Sequence, residues 1–207
     1  MKRTRSINLD RMRKQAPAIT IKPFAIAFAV TTLAGCGSNT HEGAIFKDVA
    51  QCTQQNPTQS AACEQAYNEA VKKAASTAPK YATEADCVSE FGDRSCVPYR
   101  TSTGQSWFMP ALGGFLFAQA IRGNRGYVGT PLFTSYSRGS SMYGSWNYAD
   151  GVRHGPSTFG RTTYRESALQ PKPAVTRTIA RGGFGSTVAA KAASARSRSS
   201  SSRSWGG

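Results

Sequence analysis

Four of the five cysteines stand between Cys52 and Cys96, and the fifth, Cys36, precedes them. No other feature constrains the chain as strongly. An even set of cysteines in a short block is the pattern of an oxidising compartment, where domains too small to build a large core are held by cross-links. The set is even only if Cys36 has another use.

Residues 1–23 carry Lys2, Arg3, Arg5, Arg11, Arg13, Lys14 and Lys22 against one acid, Asp10, the charged start of an export signal. Phe24 to Leu33 follows as an apolar run. At about 1.5 Å per residue it spans roughly 15 Å, half of a bilayer core of about 30 Å, so it fits the apolar part of a signal and not a spanning helix. Leu33-Ala34-Gly35-Cys36 then resembles the lipobox of bacterial lipoproteins. That motif predicts a signal peptide over residues 1–35, cleavage between Gly35 and Cys36, and a thioether-linked lipid on Cys36. Two or more acyl chains hold a protein on a membrane where a single one does so only marginally. Gly37 in place of Asp favours forwarding to the outer membrane, facing the periplasm. The plainer alternative is a buried or leftover cysteine in an uncleaved cytosolic amino terminus.

The formal net charge is +15. It is unevenly spread: residues 41–98 hold five basic and eight acidic side chains, residues 99–207 fourteen and two. Two physically different halves are therefore expected.

Residues 36–45 read as a polar tether, with His41 solvated, and residues 46–98 as a cysteine-bearing helical domain. A small repeat suggests the pairing. Phe46-Lys-Asp48-Val-Ala-Gln51-Cys52 matches Tyr81-Ala-Thr83-Glu-Ala-Asp86-Cys87 in layout, with Asp48 and Thr83 as N-caps and Gln51 and Asp86 three residues on. Each unit then turns and meets a second cysteine, giving Cys52 with Cys63 and Cys87 with Cys96; the other two connectivities also fit the sequence. Ser60 to Thr77 predicts a helix. Cys63, Ala66, Tyr67, Ala70, Val71 and Ala74 form its apolar stripe, Glu69 and Lys73 an i,i+4 pair, and Pro79 its stop. Intervals of ten, twenty-three and eight residues between the cysteines are too wide for a structural zinc, and no Cys-X-X-Cys is present for thiol redox chemistry. No metal and no cofactor are expected.

Residues 99–106 read as a linker. Residues 107–121, Trp107 to Ile121, form the most apolar stretch after the leader and are expected as a short helix. It would contact a membrane interface or a protein partner through Trp107, Phe108, Phe115 and Phe117, with Arg122 and Arg125 at headgroup level, or pack on the cysteine-bearing domain. Residues 122–207 are rich in Gly, Ser and Arg with few aliphatics, so a largely disordered basic tail is expected. The fold class expected is thus mainly α: a disulfide-linked helical head, a short apolar helix and a long disordered arm.

Arg181-Gly-Gly-Phe184 and the Ser/Arg end resemble nucleic-acid-binding segments, in which arginines neutralise phosphates and aromatics stack on bases. Behind an export signal the same charges would meet anionic lipid, lipopolysaccharide phosphates or acidic wall polymer instead. A catalytic constellation is not assembled. His41 and His154 are the only histidines, there is no nucleophile-elbow Gly-X-Ser-X-Gly, and no phosphate-cradling glycine loop. No catalytic residues are therefore expected.

Met1-Lys-Arg-Thr-Arg-Ser-Ile7, the lipobox, Ala66-Tyr-Asn68, Thr77-Ala-Pro-Lys-Tyr-Ala-Thr83, Asp86-Cys-Val-Ser-Glu-Phe-Gly92, Met109-Pro110, Pro131-Leu-Phe133 and Arg181-Gly-Gly-Phe-Gly185 closely resemble the YgiB-like family of uncharacterised bacterial proteins. The likeness runs from end to end. Family members carry a longer Gln-rich linker before the Trp-containing stretch and order Phe and Trp differently there. Their genes are often neighbours of one encoding an ATP-grasp ligase that looks like a glutathionylspermidine synthetase, so the resemblance implies an accessory role to such a ligase as one alternative. The expectation carried forward is a non-enzymatic envelope lipoprotein, held by its lipid, that binds acidic envelope components or a protein partner.

Overall fold

The structure is a computed structural model that describes residues 40–101, 104–120 and 126–201, with the backbone alone for 198–201. The expected signal peptide over residues 1–35, Gly35, Cys36, Ile121, Arg122, Arg125 and the end of the expected tail lie outside the described residues. In chain order the elements are β1 (Thr40–Phe46), α1 (Val49–Gln55), α2 (Ser60–Thr77), α3 (Glu84–Phe91), β2 (Cys96–Arg100), β3 (Ser106–Pro110), β4 (Gly114–Gln119), β5 (Tyr127–Leu132), β6 (Ser145–Asn147), β7 (Arg153–Pro156), β8 (Gly160–Arg165) and α4 (Gly183–Ser201). The fold is mixed α and β, not mainly α.

The cysteine-bearing block folds much as its local signals dictate. Asp48 accepts the Gln51 N–H at 2.9 Å to cap α1, and Thr83 accepts the Asp86 N–H at 3.2 Å to cap α3. Cys52 is bonded to Cys63, joining α1 to α2, and Cys87 to Cys96, joining α3 to β2. On α2, Cys63, Ala66, Ala70 and Ala74 are buried as the stripe requires, whereas Val71 is 42% exposed.

The stretch from Trp107 forms strands, which overturns the expected apolar helix. β4 lies inside a four-stranded antiparallel sheet of order β5-β4-β1-β8, and its first five residues are buried. A strand covered on both faces loses the alternation that would have identified it and reads as one apolar run. β1, expected as part of a solvated tether, pairs with β4 in the register Phe46 to Phe115 and Ala44 to Phe117. Gly113 and Gly114 bring the chain against Trp146: a Cβ on Gly113 would sit 2.8 Å from the indole.

Helix α2 covers one face of this sheet. Phe46, Phe115 and Phe117 pack there with Ala66, Ala70 and the Cys52 and Cys63 pair. On the other face Ile45, Leu116, Ala118 and Leu132 meet Trp146, Tyr148, Tyr164 and Ala168. A third cluster joins Tyr81, Phe91, Phe133, Met142, Phe184 and Val188. The last two clusters draw on the region expected to be a disordered arm. Its aliphatics are indeed few, but each buried aromatic removes about 150–250 Å² from water, and the glycines supply turns between them.

Candidate functional site

Asp150-Gly151 turns the chain between β6 and β7. Gly151 has φ 79, and its N–H closes the turn on the Tyr148 carbonyl at 2.9 Å. This places Tyr148 and His154 side by side, the hydroxyl 2.7 Å from Nδ1. The other imidazole nitrogen, Nε2, lies 2.8 Å from the Thr162 hydroxyl of β8. Both nitrogens are thus engaged. Burial holds the His154 pKa below its ordinary value and raises that of Tyr148.

Lys172 lies over the Tyr148 ring, 5.7 Å from its centroid. It contacts Asp150 at 2.9 Å and donates to the Ser167 carbonyl at 2.9 Å. Burial would raise the Asp150 pKa, but the Lys172 hydrogen bond, the Val152 N–H and the charges of Lys172 and Lys191 outweigh it and hold the carboxyl below its ordinary value.

Tyr148 is a shared wall between two concavities. One, of about 460 Å³, has an apolar floor that includes Val128, Pro131 and Leu169, with Glu69, Lys73, Glu166 and Lys172 around it. Its lysines are committed: Lys73 is 2.8 Å from Glu69 and donates to the Gly129 carbonyl at 2.9 Å, and Lys172 holds Asp150. The other, of about 770 Å³, lies between β8 and α4 and presents Arg153, Arg165 and Lys191 with no Asp or Glu in its lining. It is the candidate binding groove.

The residues singled out in the sequence lie elsewhere. Trp107, Phe115 and Phe117 are buried in the core, and Phe108 is half-buried against it. Trp107 faces Lys80, whose ammonium sits 5.3 Å from its ring and 5.0 Å from that of Tyr99. Lys80 donates to the Val175 carbonyl at 2.9 Å, and burial lowers its pKa. The four cysteines beyond Cys36 form the disulfides described. His41 lies on β1 beside Tyr164, 5.6 Å between ring centroids. Arg181-Gly-Gly-Phe-Gly185 starts helix α4: Phe184 stacks on Phe91 at 6.0 Å, and Arg181 contacts Asp86 at 3.4 Å. The aromatic is therefore unavailable to a nucleic-acid base. Among the described residues no group of His, Cys, Asp and Glu could hold a metal ion, and no helix is long and apolar enough to cross a membrane.

Tyr148, Asp150, Arg153, Arg165 and Lys191 were not singled out by sequence. Asp150-Gly151 between Trp146-Asn-Tyr148 and Val152-Arg-His154 is a hairpin signal that would have placed the first three.

A family model described as "Protein of unknown function (DUF1190)" matches residues 40–195. The chain belongs to the DUF1190 family. Members of the UPF0441 group are similar over their whole length: one from Pectobacterium atrosepticum is 40% identical, one from Serratia proteamaculans 41%, and one from Yersinia enterocolitica 39%, with all of both chains aligned each time. The identification as an uncharacterised bacterial family agrees with the resemblance seen in the sequence. No solved structure matches this DUF1190 chain.

Proposed function

We propose that the chain is an exported, lipid-anchored protein of the bacterial cell envelope that binds acidic envelope material and catalyses no reaction. The observation that carries this is the cysteine arrangement: Cys52 with Cys63 and Cys87 with Cys96 are closed as disulfides, leaving Cys36 alone behind a signal-like leader. Cytosolic thiols are kept reduced, so two structural disulfides speak for an oxidising compartment. The lipobox then supplies the anchor, and Gly37 speaks for the outer membrane, facing the periplasm. Among the described residues, Arg138, Arg153, Arg161, Arg165 and Lys191 are exposed on a folded surface, suited to holding anionic material in a fixed geometry. Binding fits the groove better than chemistry does, because both His154 nitrogens are occupied by hydroxyls.

Palmitate labelling followed by membrane fractionation tests the anchor. The native chain should take up label and float with outer membranes, and Cys36→Ser should do neither. An unlabelled, full-length cytosolic chain would overturn this function.

A further inference from the structure

We propose that the groove between edge strand β8 and helix α4 seats the phosphate-bearing headgroups of the anionic membrane in which Cys36 is anchored, so that the folded unit lies against the bilayer rather than trailing from it. The proposal rests on the lipid-anchor function above and names where the folded unit meets the lipid.

Three cations converge there from three elements: Arg153 from β7, Arg165 from β8 and Lys191 from α4. All three are exposed. Arg153 Nη2 donates to the Ser141 carbonyl at 2.6 Å, and Lys191 Nζ to the Asp150 carbonyl at 2.6 Å. These bonds fix the two side chains, and the Lys191 charge also acts on Asp150. Asp150 is held by Lys172, and no carboxylate is among the residues lining the groove. Thr163, Ser167 and Ser194 also line the groove. Such a lining favours an anionic ligand, a phosphate diester among them, over a cationic or apolar one.

The position of the groove selects the membrane among phosphate-bearing partners. Thr40, the first residue of β1, lines it and pairs in register with Arg165. Thr40 is four residues from Cys36, a reach of at most about 14 Å when fully extended. Each headgroup layer adds roughly 5–7 Å to a hydrocarbon core of about 30 Å. Chain length alone thus lets Thr40 come within that reach of an acylated Cys36, and a basic side chain near an anionic surface raises partition about fivefold.

The chain from residue 37 onward keeps every described element, and its binding to vesicles tests the groove without the anchor. It should sediment with vesicles containing phosphatidylglycerol and not with phosphatidylcholine alone. Arg153→Gln, Arg165→Gln and Lys191→Gln together should lower that partition on the order of a hundredfold. Lys72→Gln, Arg100→Gln and Arg138→Gln, an equal loss of charge elsewhere on the exposed surface, should change it only a few-fold; circular dichroism checks that both variants stay folded. Equal losses in the two variants, absence of binding, or displacement from the vesicles by an RNA oligonucleotide of higher affinity would each overturn the proposal. Loss of palmitate labelling with retained vesicle binding would sink the anchor and spare the groove, and the reverse pattern would sink the groove alone.

Discussion

The Tyr81 hydroxyl donates to Glu90 Oε2 at 2.6 Å, in a site where the glutamate is 4% and the tyrosine 0% exposed. Glu90 Oε1 accepts the Gly185 N–H in the first turn of α4, and the Glu90 carbonyl accepts from the Ser135 hydroxyl at 2.6 Å. One residue of α3 thus ties together the Tyr81 segment, the loop after β5 and the amino-terminal end of α4, whose partial positive charge suits a carboxylate. Glu90→Ala leaves the buried Tyr81 hydroxyl and the half-buried Gly185 N–H without a partner, at about 1–3 kcal/mol for a fully buried donor. Urea unfolding should show a loss of about 2–5 kcal/mol, and Glu90→Gln, which keeps an acceptor, a smaller one.

Gly129 lies beneath α2 with no room for a side chain. A Cβ there would stand 1.7 Å from the Ala66 carbonyl oxygen. Its own backbone, on the outer strand β5, is taken up by α2: Glu69 accepts its N–H at 3.1 Å, and Lys73 donates to its carbonyl at 2.9 Å. The i,i+4 pair legible in the sequence thus also covers a strand edge that would otherwise offer itself to another chain. Gly129→Ala should lift α2 from the sheet and cost about 3 kcal/mol or more, seen as a large fall in Tm. Glu69→Ala with Lys73→Ala should cost less but promote self-association, seen by light scattering.

The two disulfides close loops with sequence separations of 11 and 9. By chain entropy, loops of that size contribute roughly 2–3 kcal/mol each. Cys52→Ala with Cys63→Ala should lower stability by about that amount in denaturant, and full reduction by about twice as much. Peptide mapping without reductant should recover the pairs Cys52 with Cys63 and Cys87 with Cys96; mixed products would contradict the fold.

Acid should destabilise the protein in two steps. His154 has a pKa below its ordinary 6.5 when folded, so the unfolded chain binds the proton more tightly. Its contribution to stability is complete above about 6.5 and is lost as pH falls from there to the folded pKa. Asp150 is likewise below its ordinary 3.8, and its contribution is present above 3.8 and lost as pH falls through the folded pKa. In thermal melts against pH, His154→Gln should remove the upper step and leave the lower, and Asp150→Asn should do the reverse.

Legibility in the sequence followed the range of the interactions. Asp48, Thr83 and the Ala66, Ala70 and Ala74 stripe act within one or two turns, and each does in the structure what its spacing predicts. Leu116 and Phe117 gave no such cue, because a strand buried on both faces has no periodicity to read. Phe133, Trp146 and Phe184 were diluted among Gly, Ser and Arg, so average composition concealed a core built from a few large side chains.

The basic groove lies further still from anything local, since Arg153, Arg165 and Lys191 come from three elements. The sequence by itself determined the caps of α1 and α3, the course of α2 and the family. Only the tertiary structure decided that β1 enters a sheet, that Trp107 and Phe117 are core, and that Glu90 meets Gly185. The division has a physical reason: capping and helix periodicity are satisfied by neighbours in the chain, whereas strand pairing and aromatic packing depend on which distant segments arrive beside them.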